Sequence, residues 1–158
     1  MNIAIRKGTK TDLPAVLNLV KELAIYEKAP NEVTVTLSDM ERDGFGENPI
    51  FSFFVAEKDG NIVGIALYYI KYSTWKGKCV FLEDIIVTEE YRQYGIGKKL
   101  FDEVVKVAKA MHVKRLEWQV LEWNEPAIKF YKKLNAHFDE EWINCKLTDK
   151  EIQTYSLD

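Results

Sequence analysis

Leu82-Glu83-Asp84-Ile85-Ile86-Val87, a short acidic gap, and Arg92-Gln93-Tyr94-Gly95-Ile96-Gly97-Lys98 decide how this chain folds. Ile85, Ile86 and Val87 of the first block are β-branched, as strand residues commonly are. Gly95 and Gly97 let the backbone turn sharply and let a ligand approach the main chain. Leu100, Val104, Val107, Ala108 and Met111 then recur at helical spacing, which predicts a helix over 97–111. The order is strand, loop, helix. Unsatisfied N–H groups at the helix start favour an anion, and Arg92, Lys98 and Lys99 add positive charge, so the loop can cradle a pyrophosphate. On spacing alone a tight strand-to-helix turn is an equal reading. A dinucleotide fingerprint would want a third Gly where Leu100 stands. A Walker A loop would need Gly-Lys-Ser/Thr after a longer gap, which is absent.

Working outward, Ile3 and Ile5 alternate with Ala4 and Arg6 and predict a first strand. Thr11-Asp12 offers caps for an amphipathic helix over 12–25, with Leu13, Val16, Leu17, Val20, Leu23 and Ala24 on its apolar stripe. Thr36 with Asp39 three residues on starts a second helix that ends near Gly44. Residues 51–57 and 62–72 read as strands joined by the turn Lys58-Asp59-Gly60-Asn61. Trp75-Lys76-Gly77 turns the chain into a third strand over 78–87. Beyond the 97–111 helix, Leu116, Trp118 and Val120 alternate as a strand does. Asn124 can cap a helix with Pro126 in its first turn, running to about Leu134. Residues 142–147 read as a late strand. The pattern predicts a mixed α/β fold, not a strictly alternating Rossmann one.

The 158 residues fit one domain, 1–158, with no internal repeat or Pro/Gly-rich linker. Hydrophobic residues make up 47% and charged residues 30%, which excludes wholesale disorder. The net charge of −3 argues against a nucleic-acid binder, whose affinity rests on neutralising phosphates. It leaves room for one basic pocket. No apolar run is long enough to span a bilayer, and no secretory leader is visible at the start, so no membrane partner and a cytoplasmic protein are expected. Cys79 and Cys145 form no CxxC pair, and His112 and His137 lack ligand spacing, so no metal is expected.

Arg92-Gln93-Tyr94-Gly95-Ile96-Gly97 resembles the acetyl-CoA signature of the GCN5-related N-acetyltransferases (GNAT), Arg/Gln-x-x-Gly-x-Gly/Ala, and the element order is similar too. Asp43-Gly44-Phe45-Gly46, Tyr68-Tyr69, Ser73-Thr74-Trp75-Lys76-Gly77, Leu82-Glu83-Asp84 and Trp123-Asn124-Glu125-Pro126 with Phe130-Tyr131-Lys132 resemble the diamine (spermidine/spermine) N-acetyltransferases. These blocks span nearly the whole chain. Ser73–Gly77 is more similar to the thialysine-acetylating branch, and Trp123–Pro126 to the polyamine branch. The resemblance implies a GNAT fold, a central mixed and mostly antiparallel sheet flanked by helices. Two positions depart from the pattern: Gln93 and Asn135 stand where Gly is common.

The implied reaction moves an acetyl group from acetyl-CoA to a primary amine by direct attack in a ternary complex. An amine near pKa 10 arrives protonated and must first lose its proton. Glu83 can take it, directly or through water; by spacing alone an outward-facing strand carboxylate is an equal reading, and the resemblance favours catalysis. The resemblance makes Tyr131 the general acid, although Ile128, Tyr131 and Leu134 also fit an apolar helix face. It places the pantetheine amides on the strand backbone at Ile85, Ile86 and Val87. It places the pyrophosphate on Arg92, Gln93, Tyr94, Gly95, Ile96, Gly97 and Lys98, with Asn124 and Lys133 as further cofactor contacts. Tyr26, Glu27, Trp75, Glu83, Asp84, Glu141 and Trp142 form the acceptor set, in which the carboxylates would focus a field that favours cations. The expected protein is an acetyl-CoA-dependent N-acetyltransferase of a small cationic amine, a polyamine or diamine or a thialysine- or lysine-like amino acid. A homodimer is expected as well. The alternatives are a protein-amine acetyltransferase and an acetyl-CoA-binding sensor without transfer.

Overall fold

The computed structural model describes residues 2–158. Among them five strands form one sheet in the order β1-β2-β3-β4-β5. They are β1 (Ala4–Lys7), β2 (Ser52–Lys58), β3 (Asn61–Ser73), β4 (Gly77–Val87) and β5 (Leu116–Glu117). The first three pairings are antiparallel and β4–β5 is parallel. The helices are α1 (Leu13–Tyr26), α2 (Leu37–Phe45), α3 (Ile96–Ala110), α4 (Glu125–Lys133) and α5 (Asp149–Thr154). The chain divides into two compact units, one ending at Gln119 and the other Val120–Asp158.

In the first unit the apolar stripe of α1 becomes core. Leu13, Val16 and Leu19 of α1 and Met40 of α2 pack with Phe53, Val55, Ile65, Leu67 and Ile86 of the sheet. Helix α3 packs across β2, β3 and β4 and buries Ile96, Leu100, Phe101 and Val104. Gly64 permits that approach: a Cβ there would lie 3.1 Å from Leu100 Cδ1 and 3.0 Å from the carbonyl oxygen of Ile86. The Asp59-Gly60 turn has φ of 50° and 81°, as its sequence predicts. Helix α2 carries the expected reciprocal cap: Asp39 N–H donates to Thr36 Oγ1 at 3.1 Å, and Thr36 N–H donates to Asp39 Oδ2 at 2.9 Å. Asp12 stands before α1, but its carboxylate turns back. It accepts from Thr9 N–H at 2.8 Å and forms a two-point pair with Arg6 at 2.8 and 2.9 Å. Arg6 Nε also donates to Glu57 at 2.8 Å, so one guanidinium ties β1 to β2 and to the start of α1.

Two register shifts bend the sheet. Ala56 pairs with Gly64 while Glu57 pairs with Ile62, leaving Val63 as an extra residue. Leu67 pairs with Asp84 while Tyr68 pairs with Leu82, leaving Glu83 as the extra residue of β4.

The second unit departs from the sequence reading. No strand forms over 142–147; those residues are irregular and exposed. Their alternation meets the local requirement of a strand, but a strand is stable only on a neighbouring ladder, and none pairs with them here. Helix α5 follows instead, started by contacts of Thr148 with Glu151: the Thr148 N–H donates to Glu151 Oε2 at 2.9 Å, and its hydroxyl donates to the same carboxylate. The expected strand at Leu116, Trp118 and Val120 shortens to β5.

Candidate active site

Strand β4 loses its β5 partner early. The parallel pairing covers only Val80↔Leu116 and Phe81↔Glu117, whereas β3 stays paired as far as Val87. From Leu82 to Val87 one backbone edge of β4 is therefore not engaged by β5. Alternate residues of this stretch present their N–H and C=O groups on that edge, a template for an amide-bearing chain. Directly beyond it lies the glycine loop. Gly95 has φ of 76°, and a Cβ built there meets nothing within 4 Å, so the space in front of it is open. Gln93 also has positive φ, 68°, a conformation that Gly would adopt with less strain. Asn135 has φ of 59°, so it supports a left-handed turn as the usual Gly would. The first amides of α3 have no helical acceptor and face the loop end. This cradle fits a pyrophosphate joined to an amide-bearing arm.

The loop cations are partly engaged. Lys98 Nζ lies 2.5 Å from Asp102 Oδ1. Arg92 Nε donates to the carbonyl of Val87 at 2.9 Å, and its guanidinium sits 5.3 Å from the centre of the Tyr26 ring. Tyr94 is exposed and Ile96 is buried beneath the loop.

Three carboxylates gather at the other end of this β4 segment. Glu83 is exposed and accepts a hydrogen bond from the Tyr69 hydroxyl at 3.1 Å. Asp84 is half-buried; desolvation first, then Glu83 and Glu27, push its carboxyl up to about 6. Burial also raises Glu27, at the end of α1. Desolvation and then Glu83 push Tyr69 up to about 12, so it stays a proton donor. A cation entering here would relieve the repulsion among these groups. An apolar cleft of about 380 Å³ lies alongside, lined by Ile50, Phe51, Leu67, Tyr69 and Ile70.

Tyr26, Glu27, Glu83, Asp84 and residues 85–98 thus all belong to the first unit. Trp75 does not join the carboxylates: it is 79% exposed at the β3–β4 turn. Five residues of β3 separate Tyr68, beside the bulge, from that turn, roughly 20 Å at the rise of a strand. In the second unit, Asn124 is buried and caps α4, accepting from Ala127 N–H at 3.4 Å. Tyr131 is buried with its ring 5.3 Å from that of Phe130. Lys133 ends α4 and is exposed. The Glu141 N–H donates to Asp139 at 3.1 Å, and Trp142 is exposed.

Sequence reasoning gave Tyr69 no role and overlooked Glu22, which meets the loop before α3. Tyr69 was within reach, because the Ser73↔Gly77 turn fixes which residues of the hairpin are neighbours. Glu22 was not, since its partners lie 66 and 67 residues away.

The profile of the acetyltransferase (GNAT) family matches residues 15–136. A thialysine N-epsilon-acetyltransferase of Bos taurus is 40% identical over 142 residues, covering 85% of this chain and 84% of that protein. The spermidine/spermine N(1)-acetyltransferase-like protein 1 of Homo sapiens is 34% identical over 94% of this chain and 23% of its own length. The fold is similar to that of an aminoglycoside N-acetyltransferase solved in complex with CoA, with a TM-score of 0.74, 22% identity, and coverage of 92% of this chain and 95% of that one. The cradle, the open strand edge and these likenesses agree: the chain belongs to the GNAT family of N-acetyltransferases.

Proposed function

We propose that this enzyme acetylates a small cationic amine, either a polyamine or diamine or a thialysine- or lysine-like amino acid, using acetyl-CoA. The observation that carries the reading is the cluster of Glu27, Glu83 and Asp84 where β4 leaves β5, just ahead of the glycine loop. The relatives acting on thialysine and their spermidine/spermine-like counterpart support the acceptor class.

Acetyl-CoA, when bound, supplies the activated acetyl group. Its phosphates are assigned to the backbone and cations of 92–98, and its pantetheine amides to the β4 edge at Ile85–Val87, with Asn124 and Lys133 as further contacts. Glu27 and Asp84 attract the ammonium, beside Tyr26. Glu83 takes the proton that the amine must lose before it can attack. The Tyr69 hydroxyl holds one Glu83 oxygen and leaves the other to accept. Tyr131 is assigned the proton for the departing sulfur. Glu141 and Trp142 complete the proposed acceptor set, whereas Trp75 stands apart in a single chain. The reading extends to one acetyltransferase domain, because the family match runs through residue 119, where the two units divide. It also extends to a homodimer and to a cytoplasmic location, which the free thiols of Cys79 and Cys145 suit.

The test follows free thiol release from acetyl-CoA with a panel of spermidine, putrescine, thialysine, lysine and a lysine-bearing peptide. A small cationic amine should support turnover, and Glu83→Gln should lower it by about 10²-fold or more and shift its pH profile upward. CoA binding with no thiol release from any amine would instead identify a sensor.

A further inference from the structure

The loop between β4 and α3 is held from outside by one side chain of α1. Glu22 accepts from the Thr88 hydroxyl with both oxygens, each at 3.2 Å, and from the Glu89 N–H at 3.3 Å. Its Oε1 lies 3.8 Å from Arg92 Nη2. Arg92 in turn donates to the Val87 carbonyl and covers the Tyr26 ring, one turn beyond Glu22 on the same helix. Thr88 is fixed a second time, because its N–H donates to Val63 at 3.0 Å. Val87, Thr88, Glu89, Tyr91 and Arg92 therefore each have an anchor on α1, on β3 or within the loop itself.

We propose that Glu22 is a positioning residue that sets the phosphate-binding loop for the cofactor. The proposal rests on the acetyl-CoA reading above. Electrostatics alone would not put a carboxylate here: an anion next to a phosphate site repels the ligand. Its presence is explained by geometry, since its two oxygens accept from Thr88 and Glu89 while its charge faces Arg92. In this arrangement Arg92 works mainly by holding the loop, and the backbone N–H groups of 93–98 face the phosphates. The distance of 3.8 Å from Arg92 makes that ion pair the weaker contact, so the hydrogen bonds to Thr88 and Glu89 carry the effect.

The two accounts predict opposite signs. If Glu22 acts only through its charge, Glu22→Ala tightens binding of CoA. If Glu22 positions the loop, Glu22→Ala weakens it, by about ten-fold, with hydrogen bonds to a charged group as the basis. The experiment measures the CoA dissociation constant by calorimetry, steady-state kinetics and the melting temperature on the full chain, for wild type, Glu22→Ala, Glu22→Gln and Thr88→Val. We expect the KM for acetyl-CoA to rise about ten-fold in Glu22→Ala while kcat stays within about two-fold. Glu22→Gln, whose amide oxygen still accepts, should recover most of the loss. Thr88→Val, which removes the same contact from the other side, should show a smaller loss and still serves the test if Glu22→Ala does not fold. The double variant Glu22→Gln/Thr88→Val should lose less than the sum of the two singles. Wild-type binding of CoA with unchanged or tighter binding in both Glu22→Ala and Thr88→Val overturns the role of Glu22 alone. So does a fall in kcat and melting temperature at constant KM. No CoA binding by folded wild type overturns the acetyl-CoA reading, and the role of Glu22 with it.

Discussion

Asp84 ionises against resistance. Its folded value of about 6 lies above the ordinary 3.8, because the half-buried carboxylate is desolvated and then faces Glu83 and Glu27. A raised carboxylate contributes full stability below the unfolded value and loses it as pH rises through the folded one. Asp84 thus costs stability at neutral pH, on the order of 2 kcal/mol. Asp84→Asn should be more stable than wild type at pH 7.5 in urea titrations, with the difference vanishing toward pH 4. The same substitution should raise the KM for a cationic acceptor several-fold. In wild type that KM should climb as pH falls through about 6, as Asp84 takes a proton. The residue types of this site were legible in the sequence: Glu83, Asp84 and Glu27 are carboxylates wherever they fold. Their coupling was not, because the end of α1 and the middle of β4 are far apart along the chain. The strain at Gln93 was equally hidden, since only the folded loop shows that its φ is positive.

At the scale of elements, Arg6 and Asp12 join β1, β2 and the start of α1. The Arg6 guanidinium, and then the Thr9 backbone and hydroxyl, hold the buried Asp12 carboxyl down to about 2, against its own desolvation. A lowered carboxylate contributes stability above its unfolded value and loses it as pH falls through the folded one. Asp12→Asn should cost about 2 kcal/mol at neutral pH in denaturant melts, and the gap to wild type should close between about pH 4 and pH 2. Helices α1, α2, α3 and α4 and the β2–β3–β4 meander were legible because their signals are local: a stripe, a cap, a turn residue. The strand over 142–147 was misread for the complementary reason. Trp142, Ile143 and Leu147 have strand character, but no local pattern says whether a partner strand waits beside them. Leu116 to Val120 shortened in the same way, since pairing with β4 ends at Phe81↔Glu117.

For the whole molecule, the net charge of −3 conceals a division within the first unit. Arg92, Lys98 and Lys99 flank the proposed phosphate cradle, and Glu27, Glu83 and Asp84 mark the proposed acceptor end. The exposed apolar side chains concentrate elsewhere: Trp142, Ile143, Leu147, Ile152, Tyr155 and Leu157 all face solvent in the last 17 residues of the 158. Such a run favours association with another surface. The homodimer reading predicts that sedimentation equilibrium finds a dimer at micromolar concentration and that Ile143→Asp with Leu157→Asp shifts it to monomer. A wild-type monomer at those concentrations would overturn it.

The extra residue of β4 has a consequence for mutability. Cross-strand partners share a face, so Asp84 sides with Leu67 and Leu82 with Tyr68. Two residues that a regular strand would put on one side therefore lie on opposite sides. Glu83 acts as a parity switch, which lets Ile86 serve the α1–α2 core while Leu82 is buried on the other face. Replacing its side chain leaves the switch in place. Removing the residue would turn half of β4 inside out, so the fold tolerates a substitution at this position but not a deletion.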